Sequence, residues 1–173
     1  MLYYWNYLQS AGLQELWIKA GVGDTTRFIP IHTVTLRIGK ELCQVLPAVH
    51  ALSGCDYTSK VGTKVAALKA SPTTYLQQFG LLTVPIDTQI AVTEEYLCQV
   101  IKKGTPYKTM NALRNFKYHQ SKRAFLDELP PTSHSLRAHI MRAFYITNRM
   151  NSLLLPNRTL LDPLHYGYEE IDE

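Results

Sequence analysis

The chain has only three cysteines, Cys43, Cys55 and Cys98, widely spaced and without a CxxC pair. That excludes a disulfide framework and a zinc knuckle, and leaves the three thiols as small buried hydrophobes. Long apolar runs are missing too. Leu81-Leu82-Thr83-Val84-Pro85-Ile86 and Leu153-Leu154-Leu155 fall far short of the roughly 20 residues a membrane helix needs. The opening residues lack the basic segment and small-residue cleavage site of a secretory signal, so an intracellular location is expected, nucleus and cytoplasm not being distinguished. No repeat or low-complexity linker is present, and Gly21-Val22-Gly23 lacks the third glycine and the strand-to-helix setting of a dinucleotide loop. Acid is absent from Tyr96 through Leu126, where Lys102, Lys103, Lys108, Arg114, Lys117, Lys122 and Arg123 all fall.

What is present is one core's worth of apolar residues, 46% of 173, with 18% charged. The net charge of +4 includes Glu169, Glu170, Asp172 and Glu173; without those four, 18 basic residues face 10 acidic ones. A basic face beside an acidic segment suits a polyanionic partner. Tyr107, Phe116, Tyr118 and Phe125 interleave the basic stretch, so rings could stack on bases while cations neutralise phosphates. The alternative is a solvated helix face with its rings turned inward. Arg137, Arg142 and Arg149 on a following helix would extend the patch.

Periodicity predicts a mainly α chain with one small β-hairpin. Tyr4, Trp5 and Leu8 form a short helix ending at Gly12, and the hairpin joins Glu15–Lys19 to Arg27–Ile31 across Gly21–Asp24. Helices are expected over Thr33–Ile38 and Glu41–Leu52, broken at Gly39 and disturbed at Pro47. Ser71-Pro72 should cap and open a helix to Gly80, a longer one should run from Asp87 or Thr88 toward Gly104, and another spans Thr109–Gln120. Pro130-Pro131-Thr132 should cap the clearest helix, with Leu136, Ile140, Ala143, Phe144 and Thr147 on one face. Three segments are expected: a partial core over 1–80, a basic helical extension over 81–150, and a loosely packed, acidic-ended segment over 151–173.

The chemistry-bearing stretch is Gly54-Cys55-Asp56-Tyr57 followed by Lys60-Val61-Gly62-Thr63-Lys64. A carboxylate in a turn beside lysines is one wall of a site that holds a divalent metal against a phosphate, but such a site needs several oxygen ligands. Asp56 also reads simply as a turn or capping aspartate. His134 and His139, five apart on a helix, diverge by about 140° and do not suit a zinc pair. His50 reads as a packed histidine, and Ser53 and Ser59 lack evident triad partners.

Ile29 to Leu68 resembles the later half of the nuclease core in flap endonucleases and the wider PIN-like group, where a Gly-(Cys or Ser)-Asp-Tyr turn precedes a glycine-and-lysine helical hairpin that grips DNA. Nearly the whole chain resembles animal proteins derived from mobile elements, through Leu16-Trp17, Ile29-Pro30-Ile31-His32, Leu46-Pro47, His50-Ala51-Leu52, Gly54-Cys55-Asp56-Tyr57-Thr58 and Leu129-Pro130-Pro131-Thr132. The resemblance implies the C-terminal part of an α/β PIN-like core plus a helical extension. It implies Asp56 as a catalytic, metal-binding carboxylate for Mg²⁺ or Mn²⁺, and Lys60, Gly62 and Lys64 at DNA or RNA phosphate. It also implies truncation, because the family's Asp-Thr-Asp strand would precede Met1. Only one glycine, Gly62, lies between Asp56 and Lys64, where flap endonucleases have two. The expectation is therefore a nuclease-like domain inactive alone, with weak sequence-independent nucleic-acid binding. No membrane and no small-molecule cofactor are expected, and self-association through uncovered apolar surface is. The alternative is a helical protein-interaction module on a degenerate nuclease scaffold.

Overall fold

The computed structural model describes residues 1–120 and 128–170, so Lys122, Arg123 and Phe125 lie outside the described residues. The chain is mainly helical with one two-stranded antiparallel sheet. It divides into two units, Met1–Leu46 and Pro47–Glu173. The division falls inside a helix rather than near residue 80 or 150.

In the first unit, helix α1 (Trp5–Ser10) precedes strands β1 (Trp17–Ala20) and β2 (Arg27–Pro30), which pair with Trp17 opposite Pro30. Pro30 is the last residue of its strand, where the missing N–H costs the ladder nothing. Helix α2 (Ile31–Ile38) follows directly and packs on both strands and α1. His32 sits between two indoles, 5.8 Å from the ring of buried Trp5 and 5.3 Å from that of Trp17, and its Nδ1 lies 3.3 Å from the Leu16 N–H. Phe28 and Leu36 are largely exposed, and they are part of the apolar surface on which expected self-association would draw. Gly39, at φ +82°, ends α2 before α3 (Lys40–Ser53) begins, as its position predicts.

In the second unit α6 (Ile86–Ile101) is central, packing against α4 (Lys64–Lys69), α5 (Pro72–Tyr75), α7 (Met110–Gln120) and α8 (Ser133–Ser152). Its buried face carries Ile90, Thr93, Tyr96, Leu97 and Val100. Tyr96 is fully buried, and its hydroxyl donates to the Ala67 carbonyl of α4 at 2.9 Å. Tyr96→Phe removes that bond and leaves the carbonyl with the Ala70 N–H alone, at 3.3 Å, so it should cost about 1 kcal/mol by denaturant titration. Burial, helped by Glu94 and Glu95, pushes the Cys98 thiol up to about 12, and burial raises Cys43 as well. Both thiols therefore stay protonated and inert.

Side chains rather than sequence-local caps fasten several ends. Glu94 Oε1 accepts from the Met110 N–H at 2.7 Å and from the Ser133 hydroxyl, so one carboxylate serves the starts of α7 and α8. Thr132 caps α8 as expected, accepting from the Ser135 N–H at 3.2 Å. The helix expected from Ser71 to Gly80 is shorter. Pro72 does open it, with Ser71 left-handed (φ 56°) and making no side-chain cap bond, but α5 ends at Tyr75, and turns closed by the Phe79 N–H to the Leu76 carbonyl and the Leu81 N–H to the Gln78 carbonyl complete the segment.

Residues 151–170 do not simply trail away. Asp162 caps a 3₁₀ turn over Pro163–Tyr166 by accepting from the Leu164 N–H at 3.0 Å, and Gly167 ends it at φ +80°. The turn packs on α8: Tyr166 stacks on Phe144 at 5.5 Å with the rings 4° from parallel, and Tyr168 meets Tyr145 edge-on at 5.5 Å. These rings anchor the segment more closely than a loose arm would be held.

Candidate functional site

The Gly54–Thr58 turn is built by backbone geometry. Cys55 and Thr58 exchange N–H···O bonds at 3.2 Å in both directions, leaving Asp56 and Tyr57 exposed at the tip. The Thr58 hydroxyl donates to the Ala51 carbonyl at 2.6 Å, tying the turn to the end of α3. Gly54 has φ +107°, and a Cβ there would stand 2.7 Å from the Lys60 Cα, so glycine is required for the chain to fold back on itself.

Asp56 lines a cleft of about 340 Å³ with His50, Cys55, Tyr57, Tyr145, Arg149 and Tyr168. His50 accepts from the Lys64 ammonium at 3.4 Å. Burial and Lys64 lower the His50 pKa, and Asp56 partly offsets them. The Mg²⁺ or Mn²⁺ expected from the resemblance calls for several converging oxygen ligands. Here Asp56 is the one carboxylate lining the cleft, and the wall also carries a guanidinium, which donates to the Tyr145 hydroxyl at 3.0 Å. Among the described residues no three His, Cys, Asp or Glu side chains are placed to hold a metal ion. These described residues do not fit a resident divalent cation. Asp24, Glu15 and Glu41 belong to the first unit.

A second cleft, of about 590 Å³, lies elsewhere in the same unit. Lys60, Val61 and Gly62 form one wall, Ile101 and Lys117 another, and Pro130, Leu136, His139 and Arg142 the rest. Among the described residues three permanent cations, Lys60, Lys117 and Arg142, line it, with Glu128 as the one carboxylate. Low-dielectric walls of valine, isoleucine, leucine and proline strengthen the field of those cations inside the cleft. His139 is buried in the wall. Its Nε2 donates to the Leu52 carbonyl at 3.0 Å and its Nδ1 has no hydrogen-bond partner.

Burial, and then Arg142, hold the His139 pKa below its ordinary value of 6.5, against the opposing Leu52 bond. A histidine depressed on folding takes up its proton more readily in the unfolded chain, so its contribution to stability is present above pH 6.5 and is lost as pH falls below it. His50 acts in the same direction. The melting temperature should therefore drop between pH 7.5 and 5.5, and the drop should be smaller in His139→Gln; an equal drop would remove His139 from the account.

The expected nucleic-acid residues are not gathered in one place. Lys60, Gly62 and Lys117, from well-separated parts of the sequence, meet in the larger cleft. Lys64 is turned to His50, Lys102 lies 3.8 Å over the Phe116 ring, Lys108 pairs with Glu95 at 3.5 Å, and Arg114 donates to the Pro130 carbonyl. Lys103 is exposed at the end of α6. Tyr107 and Phe116 pack on each other at 5.1 Å, while Tyr118 remains half-exposed. Gly62 has a structural reason of its own. At φ +69°, a Cβ would come within 2.7 Å of Val100 Cγ1 on α6. Tyr166, Gly167 and Tyr168 were not singled out from sequence, although Asp162-Pro163 followed by Gly167 is a cap, helix-opening proline and left-handed stop in the right order.

No protein-family model, curated protein or solved structure matches the chain.

Proposed function

We propose that the chain is a helical nucleic-acid-binding module on a nuclease-like scaffold, which holds phosphate without sequence preference and does not cleave it alone. The observation that carries this is the meeting of Lys60, Lys117 and Arg142 in one cleft, against a single carboxylate among the described residues. Phosphate oxygens attract such a group whatever the base sequence, because the contacts are to the backbone alone. The resemblance of the Gly54–Tyr57 turn and the following lysines to PIN-like nucleases fits a site of this ancestry. Asp56, with an arginine and no second carboxylate lining its cleft, fits a site that has no metal chemistry of its own.

The test uses labelled single-stranded and flap DNA with Mg²⁺, with Mn²⁺ and with EDTA. Binding should persist in EDTA and be no tighter with either metal, with intact substrate recovered in all three, and Asp56→Asn should bind as the parent does. Metal-dependent cleavage lost in Asp56→Asn would overturn the proposal in favour of an active nuclease.

A further inference from the structure

Resting on that phosphate-binding reading, we propose that the Asp162–Glu170 segment is an intramolecular competitor: docked on α8, it holds Arg142 and sets carboxylates beside the cationic cleft, lowering affinity for polyanions. Arg142 is the link. It lines the cleft with Lys60 and Lys117, and its Nη1 already donates to the Gly167 carbonyl at 2.9 Å. A guanidinium bonded in this way has fewer N–H groups to give a phosphate than a free one.

The seat of the segment is shaped for it. Gly167 lies against α8 so closely that a Cβ would stand 3.2 Å from the Ala138 carbonyl oxygen and 3.6 Å from Arg142 Cγ, at a φ of +80°. Tyr166 stacks on Phe144 on one side of this glycine. On the other, Tyr168 packs on Tyr145 and brings its hydroxyl within 3.5 Å of the Tyr57 carbonyl, in the wall of the Asp56 cleft. The segment thus touches residues of both clefts.

Its charge follows at once. Glu169 and Glu170 are exposed, and among the described residues neither forms an ion pair. Glu169 is two residues past the carbonyl that Arg142 grips, a backbone reach of about 7 Å. That backbone reach from the group Arg142 grips is shorter than the roughly 8 Å over which charge is felt at physiological ionic strength. On this proposal the carboxylates oppose a phosphate arriving at Arg142 while the segment is docked, and salt should weaken both the attraction and the opposition.

The experiment measures binding of a labelled single-stranded oligodeoxynucleotide to the full chain at low salt and at high salt. E169Q/E170Q removes charge and leaves the seat alone. Gly167→Val removes the seat and leaves the charge. Each should tighten binding at low salt, roughly threefold or more, and neither should do so at high salt. Combined, they should give less than the product of the two effects, because carboxylates that are no longer docked have little left to lose. A full product would overturn the docked competitor. Parent-like affinity in both, with binding still salt-sensitive and lost in K60E/K117E, would overturn this inference and leave the phosphate-binding reading standing. Absence of binding in the parent and in both variants would remove that reading and this inference together.

Discussion

Reversing charge at Lys60 and Lys117 together should cut affinity for single-stranded nucleic acid on the order of 100-fold at low salt, with the fold intact by circular dichroism. Both side chains line the larger cleft, and among the described residues neither forms an ion pair. In K60E/K117E, Arg142 would face two introduced carboxylates as well as Glu128. Phosphate would then meet net repulsion. A matched pair outside the cleft, K103E/K108E, serves as the control. Lys103 is exposed and Lys108 is paired with Glu95, so the same change in net charge should cost far less. Equal losses in the two variants would mean that overall charge, and not the cleft, drives binding.

A large effect on stability is expected at Gly80, which ties two long helices together. Its N–H donates to Gln89 Oε1 at 3.0 Å and its carbonyl accepts from Asn148 Nδ2 at 2.9 Å, so it joins the start of α6 to α8. Gln89 also donates to the Leu81 and Val84 carbonyls, both at 2.8 Å, which fixes the loop between them. At φ +88°, a Cβ on residue 80 would stand 2.8 Å from Thr147 Cγ2 and 3.2 Å from the Asn148 backbone nitrogen. Gly80→Ala therefore combines left-handed strain of about 1–2 kcal/mol with overpacking of about 1–3 kcal/mol against a buried helix. Gly104→Ala separates the two effects. Gly104 has φ +74° with no atom within 4 Å of the added carbon, so it carries the strain alone. Denaturant midpoints should fall clearly further for Gly80→Ala; equal shifts would show that the close approach to α8 is relieved at no cost.

Local signals account for what was legible in the sequence. Gly39 between α2 and α3, the Thr132 cap of α8, the hairpin around Gly21–Asp24 and the span of α7 each depend on a few neighbouring residues, and the structure places them where the pattern does. Features decided by contacts distant in sequence were not legible. Glu94 serves helix starts 16 and 39 residues away, and His139 bonds a carbonyl 87 residues earlier. The basic stretch from Lys102 to Lys117 reads as one patch because its cations are consecutive in sequence. The fold instead spends Lys102, Lys108 and Arg114 on Phe116, Glu95 and Pro130, leaves Lys103 exposed, and carries Lys117 alone of the five into the cleft with Lys60. Asp162, Pro163 and Gly167 did carry a local signal, but what fastens the turn to α8 is the stacking of Tyr166 on Phe144, which periodicity does not reveal.

The central claim is that the Lys60–Lys117–Arg142 cleft takes nucleic-acid phosphate. Its most direct test is the logarithmic dependence of the binding constant for a single-stranded oligonucleotide on salt concentration, for the parent chain and for K60E/K117E. Three cations on phosphates predict a slope of about −2 for the parent, since each neutralised phosphate of a single strand contributes about −0.7, and a slope much nearer zero for the variant. A flat response in the parent, or the same slope in both proteins, would contradict the claim.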